Sequence, residues 1–430
     1  MTDMSFTQRL QEVRAGFEPA FWVANTTELF ERLAYYGASA VLAIYLSEQL
    51  HFSKELTGWM IGLFGFVVWS LPVLGGALAD RFGFRNALLF AYLVMSIGYF
   101  LLGSLAAPWM QATRRALGEK WLVLGILMIP ALGPAVVKPC VAGTTARASA
   151  ENVRSIGYSI YYTLVNIGGA VGPIMAWFVR TRLGIANVFR VSALSVFLMF
   201  CVTLGFFREP TRSGEQQVKS VAAAIKNMFV VLGNSRFVLF LLIFSSFYIV
   251  FWQEFVSAPL FLRGYVDPNA NADRILSVDA LTVICFQILV SYLTRRIPAF
   301  PAMTLGLLIS SLSWLIVAVH PTIVGMIGSL IVLAFGEMTQ SARYYEYISR
   351  LAPPGQQGLY MGYAFLPIAV GYFIAGPLGG YLLHQFGDVL HRPQQMWCFV
   401  TGVGVAGAVL MLIYDRVFKP GQATDGTESA

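Results

Sequence analysis

The sequence predicts an all-α polytopic membrane protein with twelve spanning helices in two six-helix bundles. Three observations lead there. The 430 residues are 57% hydrophobic and only 12% charged, with a mean hydropathy of +0.67, whereas a soluble domain would be about a quarter charged. Apolar runs of about 20–28 residues, long enough to cross the hydrocarbon core as helices, recur twelve times. They fall near 20–47, 55–79, 86–107, 120–145, 153–180, 186–207, 236–262, 274–294, 299–319, 322–350, 356–386 and 393–417. The longest stretch between them, 209–235, is polar and charged and divides six runs from six.

The expected organisation is a bundle over 1–208, a cytoplasmic linker over 209–235, a second bundle over 236–420 and a disordered tail over 421–430. Two halves of this kind place a solute site between them near the midplane. No cleavable signal is expected, because the first twenty residues are polar and mixed in charge. Sixteen Lys and Arg fall on the side of the termini and ten on the other, with Arg32, Lys138 and Arg343 inside spans. That bias puts both termini in the cytoplasm. The net charge of +7 is scattered over short loops and does not indicate nucleic acid.

Span 1 contains Glu28-Leu-Phe-Glu31-Arg32-Leu-Ala-Tyr35-Tyr36-Gly37. A charge near the centre of a bilayer costs about 2.5–3.5 kcal/mol even on insertion scales. Three are tolerable only when they face protein or water. Glu28, Glu31, Arg32 and Tyr35 share one helix face, and Arg32 lies one turn beyond Glu28. Span 4 adds Lys138 between Pro134 and Pro139. Two acids and two bases can neutralise one another. Protonating one carboxylate then leaves a cation unpaired, the physical basis for a proton switch. The bland reading is a static salt-bridge cluster.

Span 10 carries Glu337, Gln340, Arg343, Tyr344, Glu346 and Tyr347, with Glu337, Gln340, Tyr344 and Tyr347 on one stripe. Arg343 and Glu346 form a local pair at i, i+3, or Arg343 supplies an anion site. Glu254 and Asp279 either line the path or end their helices in solvent. With Glu337 they make the C-terminal half acidic and favour an amine-bearing solute.

Enzyme chemistry finds no support. His51, His320, His384 and His391 lie in loops or at span ends, and no nucleophile motif or metal-ligand spacing occurs. Cys140, Cys201, Cys285 and Cys398 fall in apolar runs without CxxC spacing and read as core residues. No cofactor or metal is expected.

The loop after span 2 reads Gly-Gly-Ala-Leu-Ala-Asp-Arg-Phe-Gly-Phe-Arg over 75–85. Here the chain resembles the major facilitator superfamily, whose gating signature G-x-x-x-D-R-x-G-x-R matches Gly76, Asp80, Arg81, Gly83 and Arg85. The ExxER-followed-by-YYG run of span 1, the Lys-Pro of span 4 and the Tyr161-Tyr162-x-x-x-Asn166-x-Gly168 segment of span 5 narrow it. So do Phe335-Gly336-Glu337, Leu351-Ala352-Pro353 and Gly358-Leu359-Tyr360-Met361-Gly362. Together they look like the proton-coupled oligopeptide transporter family within that superfamily, as a divergent member.

The resemblance implies the major facilitator fold and proton-driven import of di- and tripeptides, or of peptide-like amine-bearing solutes, by alternating access. It implies a monomeric protein of the cell membrane whose partners are a small-molecule substrate, protons and lipid. By position, Glu28, Glu31, Arg32 and Lys138 would couple protons. Tyr35, Tyr36, Trp69, Tyr162, Asn166, Trp252, Gln253, Asp279, Glu337 and Arg343 would line the substrate site, with Glu337 at the peptide's amino end. The departures are specific. Ser39 stands where the family has arginine, Trp252-Gln253 where it has Glu-Gln, Trp69 for tyrosine and Asp279 for asparagine. Ala364-Phe365 stand where a tryptophan is expected. Losing the arginine removes a cation for a peptide carboxylate. The alternative is therefore a major facilitator transporter or exporter of a non-peptide solute.

Overall fold

The computed structural model describes residues 16–210, 233–351, 360 and 363–418. The expected tail, most of the expected linker and the Leu351–Met361 motif beyond Leu351 and Tyr360 lie outside them. Among the described residues the chain is helical, with a single isolated bridge between Phe17 and Ser149. The long helices are α1 (Pro19–Ile44), α2 (Lys54–Ser70), α3 (Pro72–Phe82), α4 (Phe84–Gly103), α5 (Glu119–Arg147), α6 (Arg154–Leu183) and α7 (Ala186–Phe206). Then come α8 (Ser235–Phe251), the short α9 (Gln253–Val256) and α10 (Ala258–Phe261), α11 (Ala272–Thr294), α12 (Ala299–Val319), α13 (Ile323–Leu351), α14 (Leu366–Leu382) and α15 (Gln395–Phe418).

Among the described residues, ten helices are long and apolar enough to cross a membrane. The first two expected spans correspond to α1, charged in its middle, and to α2 with α3, interrupted at Leu71 before Pro72. Proline at the first position of α3 needs no amide donor and restarts the helix there. Large apolar side chains face outwards: Ile288 is 86% and Val324 78% exposed. In water such a surface would aggregate; against lipid it is the stable outer face.

Two compact units divide the chain. The first comprises 1–38, 71–175 and 179–224; the second 39–70, 176–178 and 225–430. The stretch Ser39–Ser70 thus packs with C-terminal helices. The reason is a glycine seam inside the second unit. Gly58, Gly62 and Gly65 of α2 meet Gly376, Gly380 and Tyr372 of α14. A Cβ at Gly58 would lie 2.2 Å from the Gly376 carbonyl oxygen, and one at Gly65 2.1 Å from the Tyr372 ring. Two small-xxx-small faces let the backbones touch, the usual way helices associate where lipid supplies no hydrophobic drive.

In the first unit α6 approaches α1 by the same device. A Cβ at Gly168 would lie 2.4 Å from the Arg32 Cβ, and one at Gly172 2.8 Å from the Leu33 carbonyl oxygen.

Candidate functional site

The first unit holds the four charges read from spans 1 and 4. Glu28, Glu31 and Arg32 are fully buried in α1. The Arg32 Nε donates to Glu31 Oε2 at 2.5 Å and lies 3.4 Å from Glu28 Oε1. The guanidinium also sits 5.0 Å from the centre of the Tyr35 ring. Lys138, half-buried on α5, feels the charge of all three. The helix-face reading of span 1 therefore describes a real cluster, and Gly168 is what lets α6 close over it.

The hydrogen bonding is incomplete: both Glu28 oxygens, Glu31 Oε1 and both terminal Arg32 nitrogens are buried without a hydrogen-bond partner. A tight charge set with spare donors and acceptors can exchange a proton or a partner without unfolding. Sequence reasoning missed Tyr92 and Tyr99, which α4 buries within the field of Glu28 and Glu31. Their only trace in the sequence is a tyrosine pair at i, i+7 in an apolar run.

Tyr35 is buried beside Tyr36, their rings edge-on at 5.3 Å. On α6, the Asn166 amide donates to the Tyr162 carbonyl of its own helix at 3.0 Å, and the Tyr162 side chain is exposed.

The segment expected to gate, 76–85, joins α3 to α4. Gly83 adopts φ +84°, the left-handed region open to glycine, and separates the two helices. Glu209, another residue the sequence reading passed over, accepts from the Phe84 and Arg85 amides at 2.7 and 3.0 Å. It caps the start of α4 with a negative charge, where the helix dipole favours one. Arg85 donates to the Leu204 and Phe207 carbonyls at 2.7 and 3.2 Å, tying the motif to the end of α7. Arg81 is exposed beside Phe82. Gly76 and Asp80 fall on α3, but their surroundings lie outside what the structure describes.

The second unit holds the remaining expected residues. Its central feature is an irregular helix: α8 ends at Phe251, α9 runs from Gln253 and α10 from Ala258, with Trp252 and Ser257 between them still in helical dihedrals. Pro259 lacks a donor for the preceding turn, which favours the second irregularity. Trp252 occupies the first, stacked on Tyr372 at 4.1 Å and 6.1 Å from Trp69. Trp69 stacks in turn with Phe365 at 6.1 Å.

The Gln253 amide is committed to packing. Its Nε2 donates to the Ile249 and Ala375 carbonyls, and its Oε1 accepts from Ser257. Glu254, which follows, is 1% exposed with neither oxygen hydrogen-bonded. It lies in the field of Asp279 on α11 and Glu337 on α13. Arg343 pairs with Glu346 at 2.8 Å and donates to the Thr294 carbonyl at 3.1 Å; Arg350 joins Glu346 at 2.7 Å. The local pair is thus the arrangement present. Tyr344 and Tyr347 belong to an aromatic core with Phe240, Phe244, Phe300 and Tyr414. The polar stripe of α13 therefore splits, its upper end acidic and its lower end packing.

At the ends of these helices lies a polar clasp. Lys54 binds Asp388 at 2.5 Å and the Tyr265 hydroxyl; Tyr265 donates to Asp388 at 2.8 Å. His384 Nδ1 lies 3.3 Å from Glu55 and 3.4 Å from Asp388. Arg263 holds Glu48 by two donors at 2.6 and 2.9 Å. Burial and the Asp388 carboxylate push the Tyr265 phenol well above its ordinary ionisation range, so it stays a donor.

Lipid-facing helices and buried intramembrane charges are the features of a polytopic membrane transporter. The model of the Major Facilitator Superfamily matches residues 26–267 and 269–429, and the chain belongs to that family. Among curated relatives, Multidrug resistance protein MdtH of Photorhabdus laumondii subsp. laumondii is 21% identical, over 90% of this chain and 91% of that one. The protein of the same name from Salmonella newport is 22% identical, over 86% and 88%. Among solved structures, the POT family transporter PepTSo shares the fold with a TM-score of 0.75 at 19% identity, covering 93% of this chain and 98% of that one. A POT family transporter in complex with 5-aminolevulinic acid gives 0.74 at 17%, covering 92% and 95%.

Proposed function

We propose that this chain is a proton-coupled symporter of short peptides or peptide-like amine-bearing solutes, a divergent relative of the oligopeptide transporters whose fold it shares. The observation that carries the reading is the buried set Glu28–Glu31–Arg32 with Lys138 in its field. Two acids balance two bases there. An added proton leaves one base without its partner in a low dielectric, where an unpaired charge is costly. That is how proton entry drives a change of partner. Tyr35, Tyr36, Trp69, Tyr162 and Asn166 line the solute path on the N-terminal helices, and Trp252, Asp279 and Glu337 on the C-terminal ones, with Glu337 receiving the amine. The two six-helix halves are 1–208 and 236–420, joined by the linker 209–235. Both termini are cytoplasmic, the membrane is the cell membrane and the protein works as a monomer by alternating access.

The test is uptake of a labelled dipeptide into proteoliposomes with and without an inward proton gradient, with Glu31→Gln as control. Concentrative uptake that the control lacks supports the reading. Uptake by wild type that ignores the gradient overturns the coupling.

A second reading, export of a non-peptide solute, is favoured by one observation. Ser39, where the resemblance calls for arginine, is 6% exposed and its hydroxyl has no hydrogen-bond partner. No cation stands there to receive a peptide carboxylate. The curated relatives are named for multidrug resistance. Counterflow in vesicles of each orientation separates the two readings.

A further inference from the structure

The second unit carries three carboxylates on three elements: Glu254 on α9 and Asp279 on α11, both buried, and Glu337 on α13, half-buried. Helices α11 and α13 pack through Val283 and Val290 against Ala334, Phe335 and Met338. Asp279 lies one turn before Val283, and Glu337 lies next to Met338. Both carboxylates are thus on the helices' shared stretch. The Phe286 and Phe335 rings meet at 5.5 Å in the same seam. Glu254 comes from α9, two residues after Trp252, which stacks on Tyr372.

Each carboxylate's charged neighbours are the other carboxylates: Glu254 feels Asp279 and Glu337, and Asp279 feels Glu337. Among the described residues no base is felt by any of the three. This contrasts with the first unit, where the acids have bases beside them. A second fact is independent of the clustering. Both Glu254 oxygens and Asp279 Oδ1 are buried and accept no hydrogen bond. Buried polar atoms in a packed interior normally have partners, so these await one from outside the chain.

The partner's chemistry follows. Neighbouring carboxylates without a base repel one another, so positive charge from a ligand is favoured there, and three acids can balance more than one unit of it. A metal ion does not fit: among the described residues no three Asp, Glu, His or Cys side chains stand close enough to share one. The carboxylates are spread over three separate helices. That suits two ammonium groups joined by an apolar chain, each charge on a different acid.

We propose that Glu254, Asp279 and Glu337 form a binding site for an organic dication, an aliphatic diamine or a solute carrying two separated amines. The proposal rests on the reading of Glu337 as the amine partner and narrows the substrate class to doubly cationic solutes.

The test is equilibrium binding to the purified full-length protein in detergent, by calorimetry. The probes are 1,5-diaminopentane and pentylamine, which share a chain and differ in one charge. The diamine is expected to bind at least about tenfold more tightly. In Asp279→Asn and in Glu254→Gln the ratio of the two affinities falls towards one. Equal affinities in wild type overturn the proposal, as does a ratio that survives in both variants. The wild-type ratio decides the matter even where a variant fails to fold. No proton gradient enters this measurement. Loss of coupling in the dipeptide assay with the tenfold ratio intact would overturn the symport reading alone.

Discussion

Arg32 shows how much one side chain is asked to do. It faces Glu31 at 2.5 Å, Glu28 at 3.4 Å and the Tyr35 ring, and its Cβ touches the place where a residue larger than glycine at 168 would sit. Substituting Gly168→Val should overpack this contact. Overpacking of a filled interior costs about 1–3 kcal/mol, so the variant should melt several degrees lower in detergent and lose gradient-driven uptake. Gly125→Ala is the control, because nothing lies within 4 Å of a Cβ there. An unchanged melting temperature for Gly168→Val would remove the close approach of α6 from the account. Lys138→Ala has a different signature. Its side chain is half-buried beside prolines, so folding should persist while concentrative uptake disappears. The span 1 charges were legible because three ionisable residues on one helix face are conspicuous in an apolar run. Tyr92, Tyr99 and Glu209 were not. A tyrosine in an apolar run carries no charge signal, and Glu209 gains its role only when the chain folds back onto the Phe84 and Arg85 amides.

The same contrast holds between elements. The α2–α14 contact has two parts, a glycine seam and a polar clasp, and their magnitudes differ. The clasp pair Lys54–Asp388 is 22% and 41% exposed, and pairs of that kind are worth about 0–1 kcal/mol. The seam is buried and leaves no room for a side chain at Gly58, Gly376 or Gly380. Lys54→Met should therefore change little in overall stability while raising hydrogen exchange over 262–266 and 383–390. Gly376→Val should separate the two helices and lower the melting temperature markedly. If Lys54→Met destabilised more than Gly376→Val, the order of importance would be reversed. The helices were legible from apolar run length. The irregularities at Leu71 and Trp252 were not, because each lies inside a run that is apolar throughout. The commitment of Gln253 to three partners in packing was likewise hidden, since it depends on Ala375, over a hundred residues away.

For the whole molecule, the charge placed in each unit matters more than the total. The first unit pairs its buried acids with bases; the second leaves Glu254, Asp279 and Glu337 without any among the described residues. On the proposed reading, coupling resides in the first, and the choice between singly and doubly cationic solutes in the second. Substitutions in the two should then act separately, as independent sites do. Glu31→Gln should abolish the response to a proton gradient while keeping the diamine-to-monoamine ratio. Asp279→Asn should erase the ratio while uptake of a monoamine still follows the gradient. The double variant should show both losses and no third effect. Measuring gradient dependence and affinity ratio in all four proteins closes the cycle. A Glu31→Gln protein that lost the ratio, or an Asp279→Asn protein that lost the gradient response, would mean that proton and solute share one set of carboxylates. Exchange of one for the other would then be the natural mode, and the direction of transport would be outward.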